Sequence, residues 1–70
     1  MDKRAEIAKN IDFLIKHSGK TKTDIGKELN IAQSVVSRYA NGLALPSTLT
    51  IIKLCKILDC TYEEILGKPE

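Results

Sequence analysis

The sequence predicts an all-α single domain, and three observations lead to that fold class. Apolar residues recur at helical spacing along most of the chain, two Thr-x-x-acid pairs mark helix starts, and no stretch alternates apolar and polar residues as a half-buried strand would. The length of 70 residues, with 43% hydrophobic and 29% charged, is a globular composition with room for one contiguous core. Residues 1–70 are therefore read as one domain, and a chain this short is ruled out for most enzymes.

Each element has a local reason. Ile7, Ile11, Leu14 and Ile15 form a stripe that predicts a first helix from about Lys3 to His17, with Ser18 and Gly19 as its stop. Phe13 lies about 200° around that helix from Ile11, away from the stripe. It either marks a second interface or folds over the helix surface beneath lysine stems. Thr21 and Asp24 have the spacing of a capping box, which starts a second helix over Lys22–Leu29 with Ile25 and Leu29 inward. Asn30 tolerates the left-handed backbone that ends it, and Ile31 is expected to plug back into the core.

A third helix is predicted from Gln33 to Tyr39 or Ala40, with Val36 and Tyr39 inward and Asn41 with Gly42 as its stop. Ala32 is a poor cap for it, a defect of about 1 kcal/mol relative to Ser or Thr. Pro46 and Ser47 announce a fourth helix. Its Leu49, Ile51, Ile52, Leu54, Cys55, Ile57 and Leu58 put apolar residues on most of the circumference, so it is expected to be the central, buried helix. Thr61 and Glu64 open a short fifth helix through Ile65 and Leu66, which Gly67 ends and Pro69 keeps from continuing.

The 11 Lys plus Arg against 9 Asp plus Glu leave a net charge of +2, too small to imply a nucleic-acid partner by itself. The distribution says more. Lys16, Lys20, Lys22, Lys27 and Arg38 fall in the middle stretch with Asp24 and Glu28 opposing them, whereas Asp59, Glu63, Glu64 and Glu70 gather near the end. A basic face is expected, each lysine on its own being an ordinary solvated charge. Cys55 and Cys60 are read as small buried hydrophobes, five apart and poorly placed to bridge each other. With His17 the single histidine, no zinc set can be assembled, and no metal or cofactor is expected. No apolar run approaches the roughly 18 residues of a membrane span, and MDKRAEIAKN lacks the apolar stretch of a secretion signal, so a cytoplasmic protein is expected.

The segment Thr21 to Gly42 is a capped short helix, a tight turn and a second short helix, with Gly26 where the two would approach most closely. Here the chain resembles the helix-turn-helix family of Cro and the lambda-type phage repressors, also called the xenobiotic-response-element type. Ile7, Ile11 and Leu14 resemble that family's first helix, TKTDIGKELNIAQSVVSRYANG its helix-turn-helix, and LPSTLTIIKLCKILDCTYEEILG its last two helices. The resemblance implies a compact five-helix, lambda-repressor-like DNA-binding domain with the helix-turn-helix at about 21–42.

It also implies that the third helix lies in the DNA major groove, with Gln33, Ser34, Ser37 and Arg38 at the bases. These positions form an i, i+1, i+4, i+5 stripe opposite Val36 and Tyr39. Gln33 suits adenine N6 and N7, Arg38 suits guanine O6 and N7, and the serines suit bases or phosphates. Val35 or Ala32 could meet a thymine methyl, with Val35 also a core candidate. Thr21, Lys22, Thr23 and Asn41 are the expected DNA-backbone contacts, Thr21 to Thr23 through free N–H groups at the helix start. Lys22 stands where many members carry glutamine, which favours a phosphate role.

Two further departures stand out. Ile15 and Ala40 occupy positions where many relatives place an arginine and a glutamate, so an apolar contact is expected in place of an ion pair. The loop Leu43, Ala44, Leu45 replaces basic residues; it either forms a surface for dimerisation or a protein partner, or tucks Leu45 into the core and leaves Leu43 exposed. The resemblance places the dimer contact at this loop, through Leu43 and Leu45, and on the fifth helix, through Tyr62, Ile65 and Leu66.

The leading expectation is a homodimeric repressor that occupies a near-palindromic double-stranded operator. A protein-interaction module, for instance an antitoxin acting through the Leu43–Leu45 loop, is the alternative; the polar stripe argues against it, because interaction surfaces favour apolar anchors. Catalysis is not expected, since His17 has no evident nucleophile partner and the carboxylates read as caps and surface charges. A complete small regulator and the N-terminal domain of a larger one are both compatible with this sequence.

Overall fold

The computed structural model describes residues 3–67, which fold into five helices: α1 (Lys3–Ser18), α2 (Lys22–Leu29), α3 (Gln33–Ala40), α4 (Thr48–Leu58) and α5 (Tyr62–Leu66). The order and bounds agree with the sequence reading to within a residue. Pro69 and Glu70, read as a stop and as part of the acidic end, lie outside the described residues. Among the described residues no helix is long and apolar enough to cross a membrane.

The starts of the last four helices follow local chemistry. Thr21 and Thr61 each close a full capping box, the hydroxyl accepting from the N–H three residues on while that residue's carboxylate accepts from the threonine N–H. Ser47 caps α4 through the Thr50 N–H. Ala32 gives α3 no side-chain cap, as expected.

The ends of α2, α3 and α4 share one device. A left-handed residue, respectively Asn30, Gly42 and Asp59, turns the chain, and the next residue donates its N–H to the carbonyl five positions back. Ile31 reaches Gly26, Leu43 reaches Arg38 and Cys60 reaches Cys55, all at 2.9 Å. Each closure throws the residue after the turn back over the last turn of the helix it leaves.

One core joins the elements: Ile7, Ile11 and Ile15 of α1, Ile25 and Leu29 of α2, Val36 and Ala40 of α3, Ile51, Leu54 and Leu58 of α4, and Ile65 of α5. Leu14, Ile31 and Tyr39 pack against it half-buried. Ile15 and Ala40 are both buried there, so the apolar pair stands in this cluster without an ion pair. The expectation of a buried α4 is overturned. It packs on α1, α2 and α5 through Ile51, Leu54 and Leu58, while Leu49 is 63% and Ile52 43% exposed. Five short helices offer it partners on one side only.

The closest approach is at Gly26. A Cβ there would stand 2.9 Å from the Ile31 carbonyl oxygen and 3.4 Å from the Gln33 nitrogen. Alanine would gain about 1 kcal/mol of helix propensity. It would also meet backbone that cannot swing aside, placing its overpacking near the upper end of about 1–3 kcal/mol. Gly26→Ala is expected to lower the unfolding free energy by about 1–2 kcal/mol in urea melts; an unchanged midpoint would show that α2 and α3 separate freely.

Candidate nucleic-acid interface

The tight turn after α2 sets α3 on the surface with its apolar side down. Val36 and Ala40 are buried, Val35 and Tyr39 half-buried, and Gln33, Ser34 and Arg38 exposed. Ser37 is half-buried beside them, so the four polar residues expected at bases lie along one face, with Ser37 the most recessed.

At the start of α2 the capping box already uses part of what was expected to be free. The Thr21 N–H donates to the Asp24 carboxylate at 3.1 Å, and the Thr21 hydroxyl accepts from the Asp24 N–H at 3.1 Å. The Thr21 N–H and, after it, the Thr21 hydroxyl hold the Asp24 carboxyl below its usual range, with Lys27 and Lys20 adding a smaller push. Thr21 therefore has no free N–H, a correction to the sequence reading. The N–H groups of Lys22 and Thr23 precede Ile25, which makes the first intrahelical bond to the Thr21 carbonyl at 3.1 Å. They are the open donors at this helix start.

The basic face is narrower than the sequence suggests. Lys16 pairs with Asp12 at 2.9 Å, an i, i+4 partner legible in the sequence but overlooked, and Lys20 reaches across to Glu28 at 3.0 and 3.2 Å. Such exposed pairs stabilise little, yet they partly neutralise both lysines. Among the described residues Lys22, Lys27 and Arg38 are outside any ion pair.

Beside α3, the Arg38 carbonyl accepts from Leu43 at 2.9 Å and from Ala44 at 3.3 Å, fastening the following loop to the helix. Asn41, an exposed residue expected at DNA backbone, sits at the α3 cap within this closure. Leu43 is 66% and Leu45 53% exposed, so Leu45 does not tuck into the core. Leu49 and Ile52 on the outer side of α4 add exposed apolar area that the sequence reading assigned to the interior. Their wheel positions, opposite Ile51, Leu54 and Leu58, were the available signal.

On α5, Tyr62 is exposed and Leu66 half-buried, but Ile65 is fully buried and its carbonyl accepts from the Asn10 amide at 3.0 Å. Ile65 is thus withdrawn from the expected dimer contact, because a five-residue helix needs it to anchor on α1 and α4. Phe13 does point outward, and its cover is His17, stacked at 4.0 Å between ring centroids, with the imidazole Nδ1–H donating to the Phe13 carbonyl.

Comparison with known proteins gives one result. The family model described as Helix-turn-helix matches residues 13–65, more than half of the chain, covering α2 to α4 entirely and α5 but for its last residue. No curated protein and no solved structure matches.

The uncapped start of α3 yields a measurable consequence. Ala32 already has the extended backbone of a capping residue, at φ −68° and ψ 147°, and its side chain is exposed. Ala32→Ser is expected to raise stability by about 1 kcal/mol in denaturant melts; no gain would mean that the first N–H groups of α3 are already satisfied.

Proposed function

The chain belongs to the helix-turn-helix family of Cro and the lambda-type repressors, a family of DNA-binding transcription regulators, and from that premise we propose that it is a cytoplasmic repressor acting by occupancy, without catalysis, as a homodimer on a near-palindromic operator. The observation that carries this reading is the exposed polar stripe of α3 held outward by buried Val36 and Ala40. On it, Arg38 reads a guanine and Gln33 an adenine in the major groove, with Ser34 and Ser37 on bases or phosphates. The Lys22 ammonium, the Lys22 and Thr23 N–H groups, the Thr21 hydroxyl and the Asn41 amide hold the backbone and set the register.

Dimerisation follows from operator geometry. Recognition helices in successive major grooves stand about 34 Å apart, and a domain 33 × 23 × 21 Å in extent meets its copy only at the edge facing it. The loop fastened to Arg38 supplies that edge through Leu43 and Leu45, extended by Leu49 and Ile52; Tyr62 and Leu66 are secondary candidates. The same apolar surface supports a second reading, a protein partner at Leu43–Leu45.

Incubating the full chain with random DNA duplexes and sequencing the bound fraction is expected to enrich a pseudo-palindrome with half-sites about one turn apart. On that site Arg38→Ala is expected to cost about 1–3 kcal/mol and relax preference at one base pair, while Lys22→Ala weakens all sequences alike. Failure to enrich any sequence would overturn the repressor reading and favour the protein partner.

For the dimer, Leu43→Asp and Leu49→Asp are each expected to shift sedimentation toward monomer without lowering helical content. Unchanged self-association in both variants would exclude this edge.

A further inference from the structure

The two cysteines carry an inference independent of DNA. On a continuous helix, residues five apart point about 140° away from each other. The structure does not continue the helix. Asp59 takes the left-handed conformation at φ 53° and ψ 53°, and the Cys60 N–H closes onto the Cys55 carbonyl at 2.9 Å. This closure brings the side chain after the turn toward the one it caps. Both residues are half-buried against the core and neither is in a disulfide, so small solutes can reach them.

We propose that Cys55 and Cys60 are a dithiol modification site that closes reversibly into an intramolecular disulfide, stapling the last turn of α4 to the residue that precedes the Thr61 cap of α5. The oxidant class is a small-molecule disulfide. One protein thiolate attacks it, forming a mixed disulfide and releasing one small thiolate; the second protein thiol, losing its proton, attacks the mixed disulfide and releases the other. The protein loses two protons and two electrons, and the reagent takes them up to become two small thiols. Bridges of this kind need Cα atoms about 4.4–6.8 Å apart, and the turn closes the Cys60 N–H onto the Cys55 carbonyl at 2.9 Å. Burial, then the neighbouring Cys55 and the Glu64 and Asp59 carboxylates, push the Cys60 thiol up to about 12, so Cys60 is protonated at neutral pH.

The test treats the dilute full chain with oxidised glutathione. The expected product is a monomer lighter by two hydrogens, whose tryptic digest links the peptide holding Cys55 to that holding Cys60. Its Tm is expected to rise, to return to the starting value with dithiothreitol, and to show no such rise in Cys55→Ser. Persistent glutathione adducts, covalent dimers, two unmodified thiols, or a bridge that lowers Tm would each overturn the proposal.

Discussion

The approach of the α2–α3 turn to Gly26 is the constraint on which the rest of the domain depends. The Ile31 carbonyl lies 2.9 Å from where a Cβ on Gly26 would stand, and the Ile31 N–H bonds the Gly26 carbonyl at the same distance. One residue thus serves both as the space into which the turn fits and as the acceptor that fixes it. With that turn tight, Val36 and Ala40 bury beside Ile25 and Leu29, and the other side of α3 has nowhere to go but outward. The polar stripe is a consequence of packing, and its residue types are then free to serve recognition.

The closure at the end of α3 extends this logic. Arg38 offers its guanidinium outward while its carbonyl holds both Leu43 and Ala44. The side chain proposed to read a base and the clamp on the apolar loop therefore share one residue. On the proposed reading, a displacement of the dimer edge is transmitted to α3 through main-chain hydrogen bonds and not through a flexible linker, which is how a dimer contact can set half-site register.

What was legible in the sequence was what is decided locally. The Thr21 and Thr61 boxes, the Asn30 turn, the missing cap at Ala32 and the helix bounds all depend on residues within one turn of each other. The outward stripe of α3 was legible too, because a helix carrying Val36 on one side must put Gln33, Ser34 and Arg38 on another. For Leu49 and Ile52 the wheel gave only which side they share, not its exposure, since apolar character all round a helix implies burial only if enough neighbours exist to cover it. The withdrawal of Ile65, and the Lys20 pairing with Glu28 eight positions away, required the packing of α5 and the approach of α1 to α2. The closure of the Cys60 N–H onto the Cys55 carbonyl depends on the left-handed Asp59, a backbone state that the spacing of the two residues does not show.

Charge and apolar surface then complement each other. With Lys16 and Lys20 partly neutralised by Asp12 and Glu28, a single domain of net charge +2 gains little affinity from phosphates alone. The loop that resembles a backbone-gripping segment in relatives presents Leu43 and Leu45 instead. On the proposed dimeric reading, exchanging phosphate contacts for an apolar edge makes each domain a weaker DNA binder and a better partner for its copy. Affinity in such an arrangement comes from two weak halves held at a fixed spacing, where the second half binds at the high effective concentration set by the first. Discrimination improves for the same reason, because less of the free energy comes from contacts that every sequence offers.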